Sequence, residues 1–409
     1  MKKFYCKTDY KYIIAGICFI IVFAGLGFCS TAKTIYFAPI TEAMGFSRSS
    51  FSINDSCRYI TTAIVNIFFG TLVEKFGTKK LIIAGMLSLI VSSLLYSCAT
   101  TLFMFYLGGF FLGIGVAWTT TSMVGVVVNR WFEQNKGAVM GFILASNGIG
   151  AAHAINIVTP IIYKSTFGYQ SAYKLTAIIL SVITLLIFPL YKEKKGTDSQ
   201  TKSCDTPVQN QSGIEYGELI KKPYFYAIIG VIFLNMLVTV GEITTPHFTD
   251  IGLSPSFVTK ILGLKVILLA VFKLMFGFIY DRLVIKFPVK LCLISVIISK
   301  ILLLLITNSL SGKILTIVYC VVCALGLPLE TVMLPIIALH FFGQKCYNKT
   351  LGIITSVATV GQTLGTPLLN LFYDHFKNYD IVFVLSTAVS VLALIIMNLA
   401  MNTEELNHD

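Results

Sequence analysis

The chain has 409 residues and a net charge of +12; 56% of its residues are hydrophobic and only 12% are charged. An average soluble domain has about 25% charged residues. Too few charged residues are present to cover the surface of a soluble globule of this size, which excludes a soluble enzyme. The high hydrophobic fraction excludes a disordered chain. It favours a membrane protein with several spans, in which excess basic residues belong to cytoplasmic loops and not to nucleic-acid binding.

Long apolar runs recur along the whole chain. A membrane-spanning helix needs about 20 apolar residues, and its backbone must be hydrogen-bonded within the segment, so each long run predicts a helix. We find twelve runs, numbered here as spans 1 to 12, at 11–39, 50–73, 79–99, 102–129, 137–163, 171–191, 223–247, 256–280, 289–308, 313–341, 348–373 and 379–401. The sequence therefore predicts an all-α membrane protein with twelve transmembrane helices.

One connection between the spans differs from the others. Residues 192–222 are polar and charged and contain no apolar run, whereas the other connections are short. We expect this segment to be a cytoplasmic linker between an N-terminal six-helix half, residues 1–191, and a C-terminal six-helix half, residues 223–409.

Basic residues are distributed unequally between the two sides of the predicted bundle. With the N-terminus inside, the cytoplasmic segments contain 20 lysines and arginines, and the outer segments contain six. Cytoplasmic loops of membrane proteins are enriched in these residues. The count predicts a multi-pass protein of the plasma membrane with both termini in the cytoplasm.

The two halves repeat one another. Three pairs of landmarks recur 207 to 211 residues apart: Gly70–Lys75 and Gly277–Arg282, Arg130–Phe132 and His340–Phe342, and Gly141 with Gly150 and Gly352 with Gly361. A six-plus-six repeat predicts a substrate site near the membrane midplane between the halves.

The connection between spans 2 and 3 resembles a known signature. Gly70, Glu74, Lys75 and Gly77, followed by two lysines, are similar to the loop 2–3 motif of the major facilitator superfamily, which has Asp at the position of Glu74. The resemblance implies the major facilitator fold, with two pseudo-symmetric six-helix halves, and transport across a membrane. A monomer is the habit of that superfamily.

This loop suggests a conformational latch. A glycine permits close helix approach, and an acid–base pair in a short loop can hold the halves in one state. The latch candidates are Gly70, Glu74, Lys75 and Gly77, with Asp281 and Arg282 in the second copy. The alternative is a solvated basic loop without a latch.

The connection between spans 4 and 5 supports a narrower resemblance. Asn129-Arg130-Trp131-Phe132, followed by Lys136-Gly137 and Gly141, is similar to the loop 4–5 sequence of oxalate–formate antiporters and monocarboxylate transporters. This resemblance implies a small carboxylate as the substrate.

Eight acidic or basic residues, histidines not counted, lie inside the predicted spans at least five residues from either end. Each costs about 2.5–3.5 kcal/mol or more at mid-bilayer, so such residues face the bundle interior or a cavity and usually have a function. Five are basic and three are acidic: Lys33, Arg58, Lys265, Lys273 and Lys300, and Asp55, Glu242 and Glu330. The positive surplus predicts a cavity that attracts anions.

Three of the lysines are candidate substrate ligands. By the resemblance, Lys33 would bind or relay the substrate carboxylate; the alternative is a lysine that snorkels to the outer interface. Lys273 stands where the two families carry an arginine and would keep the charge without the bidentate fork. Its alternative is a structural pair with Glu330. Lys265 lies two turns from Lys273 on the same face and would add a second charge.

The remaining intramembrane groups have smaller expected roles. Glu330, Glu242 and His153 are candidate proton carriers, because buried carboxyls and histidines can titrate near neutral pH. His153 is alternatively a hydrogen-bonded core residue. Arg58 and Asp55, one turn apart in span 2, are expected to neutralise each other, and Lys300 is expected to be structural.

These observations predict a secondary transporter that moves a small organic anion, with a monocarboxylate as the expected substrate, by alternating access. Proton symport and anion exchange both remain open. The alternatives are an exporter of another metabolite or of a neutral drug, and a membrane sensor that does not transport. No catalytic or ATP-binding motif is present, and Cys320 and Cys323 have no second pair, so no enzyme activity, cofactor or metal is expected.

Overall fold

The computed structural model describes residues 7–164, 167–193, 215–241 and 243–405. Every regular element within these ranges is a helix. The contacts divide the chain into two units, Met1–Gln211 and Ser212–Asp409. The all-helical architecture that the composition predicts is therefore observed, and each unit is described by itself below.

The first unit contains six helical segments that match spans 1 to 6. Span 1 is the α-helix Lys7–Val22, followed by a π-helix at Phe23–Ser30, a 3-10 helix at Thr31–Tyr36 and the α-helix Phe37–Met44. Span 2 is Arg48–Ile67 and the start of the helix Phe69–Cys98, which kinks at Gly77 and continues as span 3. Span 4 is Leu102–Thr119 with Thr121–Trp131, span 5 is Lys136–Ile162, and span 6 is Gly168–Leu190.

The second unit contains six further segments. Span 7 is Pro223–Leu237 and, after a break, Thr244–Asp250. Span 8 is Pro255–Arg282, span 9 is Lys286–Leu305, and span 12 is Tyr379–Glu405. Span 10 is Leu310–Gly326, the 3-10 turn Leu327–Glu330 and the start of the helix Met333–Phe376, which kinks at Gly343 and continues as span 11. A short helix, Tyr216–Leu219, precedes span 7.

Among the described helices, nine are long and apolar enough to cross a membrane. Spans 2, 7 and 11 are helical but do not qualify by themselves. Span 7 is interrupted, because its first helix, Pro223–Leu237, has only 15 residues. Span 2 carries Asp55 and Arg58 of the site described below, together with several serines and asparagines.

The two units end and restart their helices at matching positions. Gly45 and Gly252, 207 residues apart, both have a positive φ, 65° and 83°. Two residues later, Ser47 and Ser254 are the N-caps of spans 2 and 8. The repeat was inferred from three pairs of sequence landmarks, none of which includes these residues. It therefore extends to the turns that precede spans 2 and 8.

One helix crossing recurs in both units. A Cβ atom on Gly150 would overlap the carbonyl oxygen of Phe23, and one on Gly361 would lie 2.8 Å from the carbonyl oxygen of Phe233. The two glycines are 211 residues apart, and the two phenylalanines 210. Spans 5 and 1, and likewise spans 11 and 7, thus approach closely enough that only glycine fits at the contact.

Four spans lose α-helical geometry within the membrane segment. Span 1 passes through π and 3-10 turns, and span 7 is non-helical in its middle. Spans 4 and 10 break at Thr120 and Thr331, again 211 residues apart. Irregular backbone at membrane depth is tolerated where protein or a water-filled cavity surrounds it, and such breaks are where transporters bind substrates.

We expect Gly150→Ala to lower the stability of the protein by about 1–3 kcal/mol, because the added methyl forces spans 1 and 5 apart. The measurement is the thermal unfolding temperature in detergent micelles. Gly16→Ala is the matched control, since nothing lies within 4 Å of its added Cβ, and it should be neutral or slightly stabilising. Equal unfolding temperatures for the two variants would contradict the close crossing.

Candidate functional site

The first unit contains a buried ionic cluster, which we call the Lys33 cluster; it consists of Lys33, Asp55 and Arg58. Lys33 Nζ lies 3.0 Å from Asp55 Oδ1, and Arg58 Nε lies 3.5 Å from the same oxygen. The expected neutralisation between Asp55 and Arg58 is present. The pairing with Lys33 was not expected, because it joins span 1 to span 2 across 22 residues.

Other polar groups hold the two cations in place. Arg58 Nη1 donates to Ser30 Oγ at 2.7 Å, and its guanidinium carbon lies 3.9 Å from the centre of the Tyr59 ring. Lys33 Nζ lies 5.3 Å from the centre of the Tyr96 ring. The cations thus have fixed positions that do not depend on Asp55 alone.

The exposure of the three side chains is unequal. The side chains of Lys33 and Arg58 are 8% and 11% exposed, whereas that of Asp55 is 44% exposed. Lys33 is therefore enclosed by protein within its unit and pairs there, which does not fit a lysine extended to the outer interface. The cluster carries one net positive charge when all three groups are ionised.

A small cavity adjoins Lys33. Hydroxyl-bearing residues line much of it, including Tyr36, Tyr96, Tyr173 and Thr176. The Tyr36 and Tyr173 rings stack with centroids 4.0 Å apart. The cavity has room for about one water molecule, so this side of Lys33 offers hydrogen-bonding groups in a confined, aromatic setting.

The second unit contains a larger charged group around Glu330. Thr239 Oγ1 donates to Glu330 Oε1 at 3.4 Å, which links the breaks of spans 7 and 10. Glu330 interacts electrostatically with Lys265, Lys300 and Lys273. Among the described residues, one carboxylate is thus within electrostatic reach of three lysines. The alternative expected for Lys273, a pairing with Glu330, is present as an electrostatic interaction, but it is shared with two other cations.

Two of these lysines are deeply buried. Lys273 is 3% exposed and Lys300 1%. Lys300 Nζ donates to Ser390 Oγ at 2.6 Å and to the carbonyl oxygen of Ser386 at 3.4 Å, so it fastens span 9 to span 12. These contacts agree with the structural role expected for Lys300.

The other candidate proton carriers are not part of either cluster. Glu242 lies outside the described residues. His153 is exposed, and its Nδ1 lies 2.8 Å from the carbonyl oxygen of Ile149 on its own helix. It is therefore not the core histidine of the alternative interpretation. Its ring lies beside Phe23, with centroids 5.8 Å apart, near the crossing of spans 1 and 5.

The candidate latch residues take two kinds of position. Gly70 is buried, Glu74 and Lys75 are exposed, and Gly77 has a φ of 78° that turns the chain into span 3. In the second copy, Asp281 and Arg282 end the helix Pro255–Arg282, with Arg282 exposed. Glu74 and Lys75 thus have the exposure of a solvated loop.

A different acid binds this loop. Glu193, just beyond span 6, accepts a hydrogen bond from the backbone nitrogen of Thr78 at 2.6 Å. The same oxygen lies 3.9 Å from Arg130 Nη1. Glu193 therefore joins loop 2–3 to the end of span 4. Sequence reasoning assigned Glu193 to the linker and missed this role, because its partners lie 63 and 115 residues away without any spacing signal.

The sequence profile of the family described as Major Facilitator Superfamily matches residues 15–366. Multidrug resistance protein 2 of Bacillus subtilis (strain 168) is 23% identical over 390 residues, covering 92% of both chains. The oxalate:formate antiporter of Oxalobacter formigenes is 20% identical over 284 residues, covering 66% of this chain and 63% of its own.

Among solved structures, the proton:xylose symporter XylE bound to 6-bromo-6-deoxy-D-glucose is similar, with a TM-score of 0.76 and coverage of 96% of both chains. The identity is 11%, so this similarity shows the fold alone. It shows the all-helical fold that the loop 2–3 resemblance implies.

We expect Glu193→Ala to destabilise the first unit by about 1 kcal/mol, because the first backbone N–H of span 3 loses its cap. Glu193→Gln should retain most of this stability, since an amide oxygen still accepts from Thr78. Thermal unfolding in detergent measures both, with Glu133→Ala as the control at an exposed acid of loop 4–5. Equal unfolding temperatures for Glu193→Ala and Glu133→Ala would contradict the role of Glu193.

Proposed function

Because the chain belongs to the major facilitator superfamily, we propose that it is a secondary active transporter whose cargo is a small organic anion, with a monocarboxylate as the expected substrate. The observation that carries this proposal is the buried lysine in each unit: Lys33 is 8% and Lys273 3% exposed. A buried cation is costly unless an anion accompanies it.

The charge balance of the two clusters supports an anionic cargo. In the first unit, two cations share the single carboxylate of Asp55. In the second, Glu330 faces three lysines. Among the residues that the structure describes, each cluster thus has more positive than negative groups, and binding an anion would reduce the cost of enclosing them. The same surplus would repel a cationic cargo.

A similar protein also supports an anionic cargo. The oxalate:formate antiporter of Oxalobacter formigenes is named for two small carboxylates and aligns with two thirds of this chain. The loop 4–5 sequence that resembles this branch lies inside the first unit and includes Arg130, whose Nη1 lies 3.9 Å from Glu193 Oε1. Together with the lysines, this likeness supports a carboxylate more than a sugar or a peptide.

In the proposed mechanism, the transporter alternates between two access states. The candidate substrate ligands in this mechanism are Lys33 of the first unit and Lys273 and Lys265 of the second. Neutral loading, by uptake of a proton or by exchange of one anion for another, lowers the energy of the transition. Glu330, His153 and Glu242 remain candidate proton carriers. Gly70, Glu74, Lys75, Gly77, Asp281 and Arg282 remain the candidate latch.

A second candidate function is export of a neutral drug or of another metabolite. Multidrug resistance protein 2 of Bacillus subtilis (strain 168) aligns with 92% of this chain, a larger share than the antiporter does. The stacked tyrosines beside Lys33 would also suit an aromatic cargo. The two functions differ in one measurable respect, since only anion transport depends on the charge of Lys33 and Lys273.

We expect purified protein in liposomes to take up labelled formate or lactate, driven either by an inward proton gradient or by internal anion. Lys33→Ala and Lys273→Ala should each lower the uptake at least tenfold, because loss of a buried charged partner costs about 2–5 kcal/mol. Lys174→Ala and Lys313→Ala, at exposed lysines of the two units, are the matched controls and should transport normally.

The driving force decides the mode of transport. Uptake that follows the proton gradient indicates symport, and uptake that requires internal anion indicates exchange. Failure to take up formate, lactate or oxalate, in protein shown to be folded, would refute the carboxylate proposal. Efflux of a neutral dye that is unaffected by the two substitutions would then favour the exporter.

A further inference from the structure

We propose that Asp55 is a built-in competitor for the substrate's carboxylate, and that a proton on Asp55 opens an anion site formed by Lys33 and Arg58. This inference rests on the proposed function, because it takes a small carboxylate as the cargo. It adds Arg58 as a ligand, where the sequence indicated only neutralisation, and it assigns the proton to a residue outside the three candidate carriers.

The geometry shows where the substrate oxygen would bind. Lys33 Nζ and Arg58 Nε converge on one oxygen of Asp55, at 3.0 and 3.5 Å. An oxygen of an incoming carboxylate has the same charge and hydrogen-bonding capacity as Asp55 Oδ1. The side chain of Asp55 thus holds the position that a substrate carboxylate would take, as a stand-in for it.

The site would persist if Asp55 withdrew. Arg58 stays bonded to Ser30 Oγ at 2.7 Å and stacked on Tyr59, and Lys33 stays beside the Tyr96 ring. An amide orientation of Asn54 that satisfies its neighbours places its oxygen 3.0 Å from Lys33 Nζ. These groups orient both cations without Asp55, so the exchange of one carboxylate for another requires little rearrangement.

The exposure of the three side chains favours exchange. Asp55 is the accessible member, at 44%, in front of two cations that are 8% and 11% exposed. Its short side chain can rotate away from the cations without moving the backbone of span 2.

The charges explain the coupling to a proton. Two carboxylates on one pair of cations repel each other, and protonating one of them removes the repulsion. With Asp55 protonated and a monocarboxylate bound, the cluster keeps the single net positive charge of its empty state. One anion and one proton would therefore enter together without changing the net charge of the first unit.

Several other titratable groups face this cluster. They are Tyr59 and Cys57 from span 2, Tyr96 from span 3 and Tyr173 from span 6, besides Lys33 from span 1 and Arg58 itself. Phenols and thiols are normally neutral near pH 7. Asp55 is the carboxyl of the cluster and lies against both cations, so the proposal places the pH dependence on it.

The test is formate binding to the purified protein as a function of pH. In the unmodified protein, the affinity should rise as the pH falls, by up to about tenfold per pH unit where Asp55 is ionised, since one proton is linked to binding. Asp55→Asn should bind formate with the same affinity at each pH, at the level of the unmodified protein at low pH. In liposomes it should lose proton-driven uptake but retain exchange of formate.

Two controls separate this role from a purely structural one. Asp55→Glu keeps a titratable carboxyl and should keep the pH dependence, and Glu42→Gln, at an exposed acid of the same unit, should change nothing. If Asp55 were only a structural ion pair, Asp55→Asn would weaken formate binding at every pH. That result would overturn the proposal.

A measurement on the unmodified protein does not depend on the folding of any variant. Calorimetry of formate binding in two buffers of different ionisation enthalpy counts the protons taken up, and about one per formate is expected. Formate binding without proton uptake would overturn the role of Asp55 and leave the proposed function intact. If neither formate nor lactate binds at any pH, the proposed function fails as well.

Discussion

The burial of cations inside a membrane-spanning unit is the constraint on which the rest of the first unit depends. Lys33 can occupy span 1 only because Asp55 of span 2 lies 3.0 Å from its ammonium and the Tyr96 ring of span 3 lies beside it. The compensating carboxylate adds to the polarity of span 2, which does not qualify as an apolar span although it lies between two that do. The need to compensate a buried cation thus affects both the candidate site and the composition of the helices that form it.

The backbone adapts to the same requirement. The π-helix of span 1 begins at Phe23, whose carbonyl oxygen is the atom that Gly150 of span 5 approaches. Changing the helical geometry there alters the direction in which the following residues point, and those residues include Ser30 and Lys33, which contact Arg58 and Asp55. The close crossing and the charged cluster are therefore neighbours along one irregular helix. A change in the geometry of either one is expected to alter the geometry of the other.

The sequence predicted the fold well because its strongest signals are local. Apolar runs determine the helices, and recurring glycines reveal the repeat, even though the break in span 7 was not expected. The candidate site was predicted only in part. Lys33 and Lys273 were identified because a charge within an apolar run is conspicuous, whereas the Lys33–Asp55 pair and the role of Glu193 depend on contacts between separate spans. A linear pattern contains no information on which faces of two helices meet.

The repeat preserves the backbone of the two units more faithfully than their charges. At the offset of 207 residues that relates Gly45 to Gly252, Arg58 corresponds to Lys265, so one cation is kept. Asp55 corresponds to Leu262, and the acid of the second unit, Glu330, lies in span 10 instead. The first unit thus pairs its cations with an accessible carboxylate on the neighbouring span, while in the described part of the second unit one carboxylate interacts electrostatically with three lysines. Such divergence on a shared scaffold is expected if the two units contribute differently to binding the proposed anion.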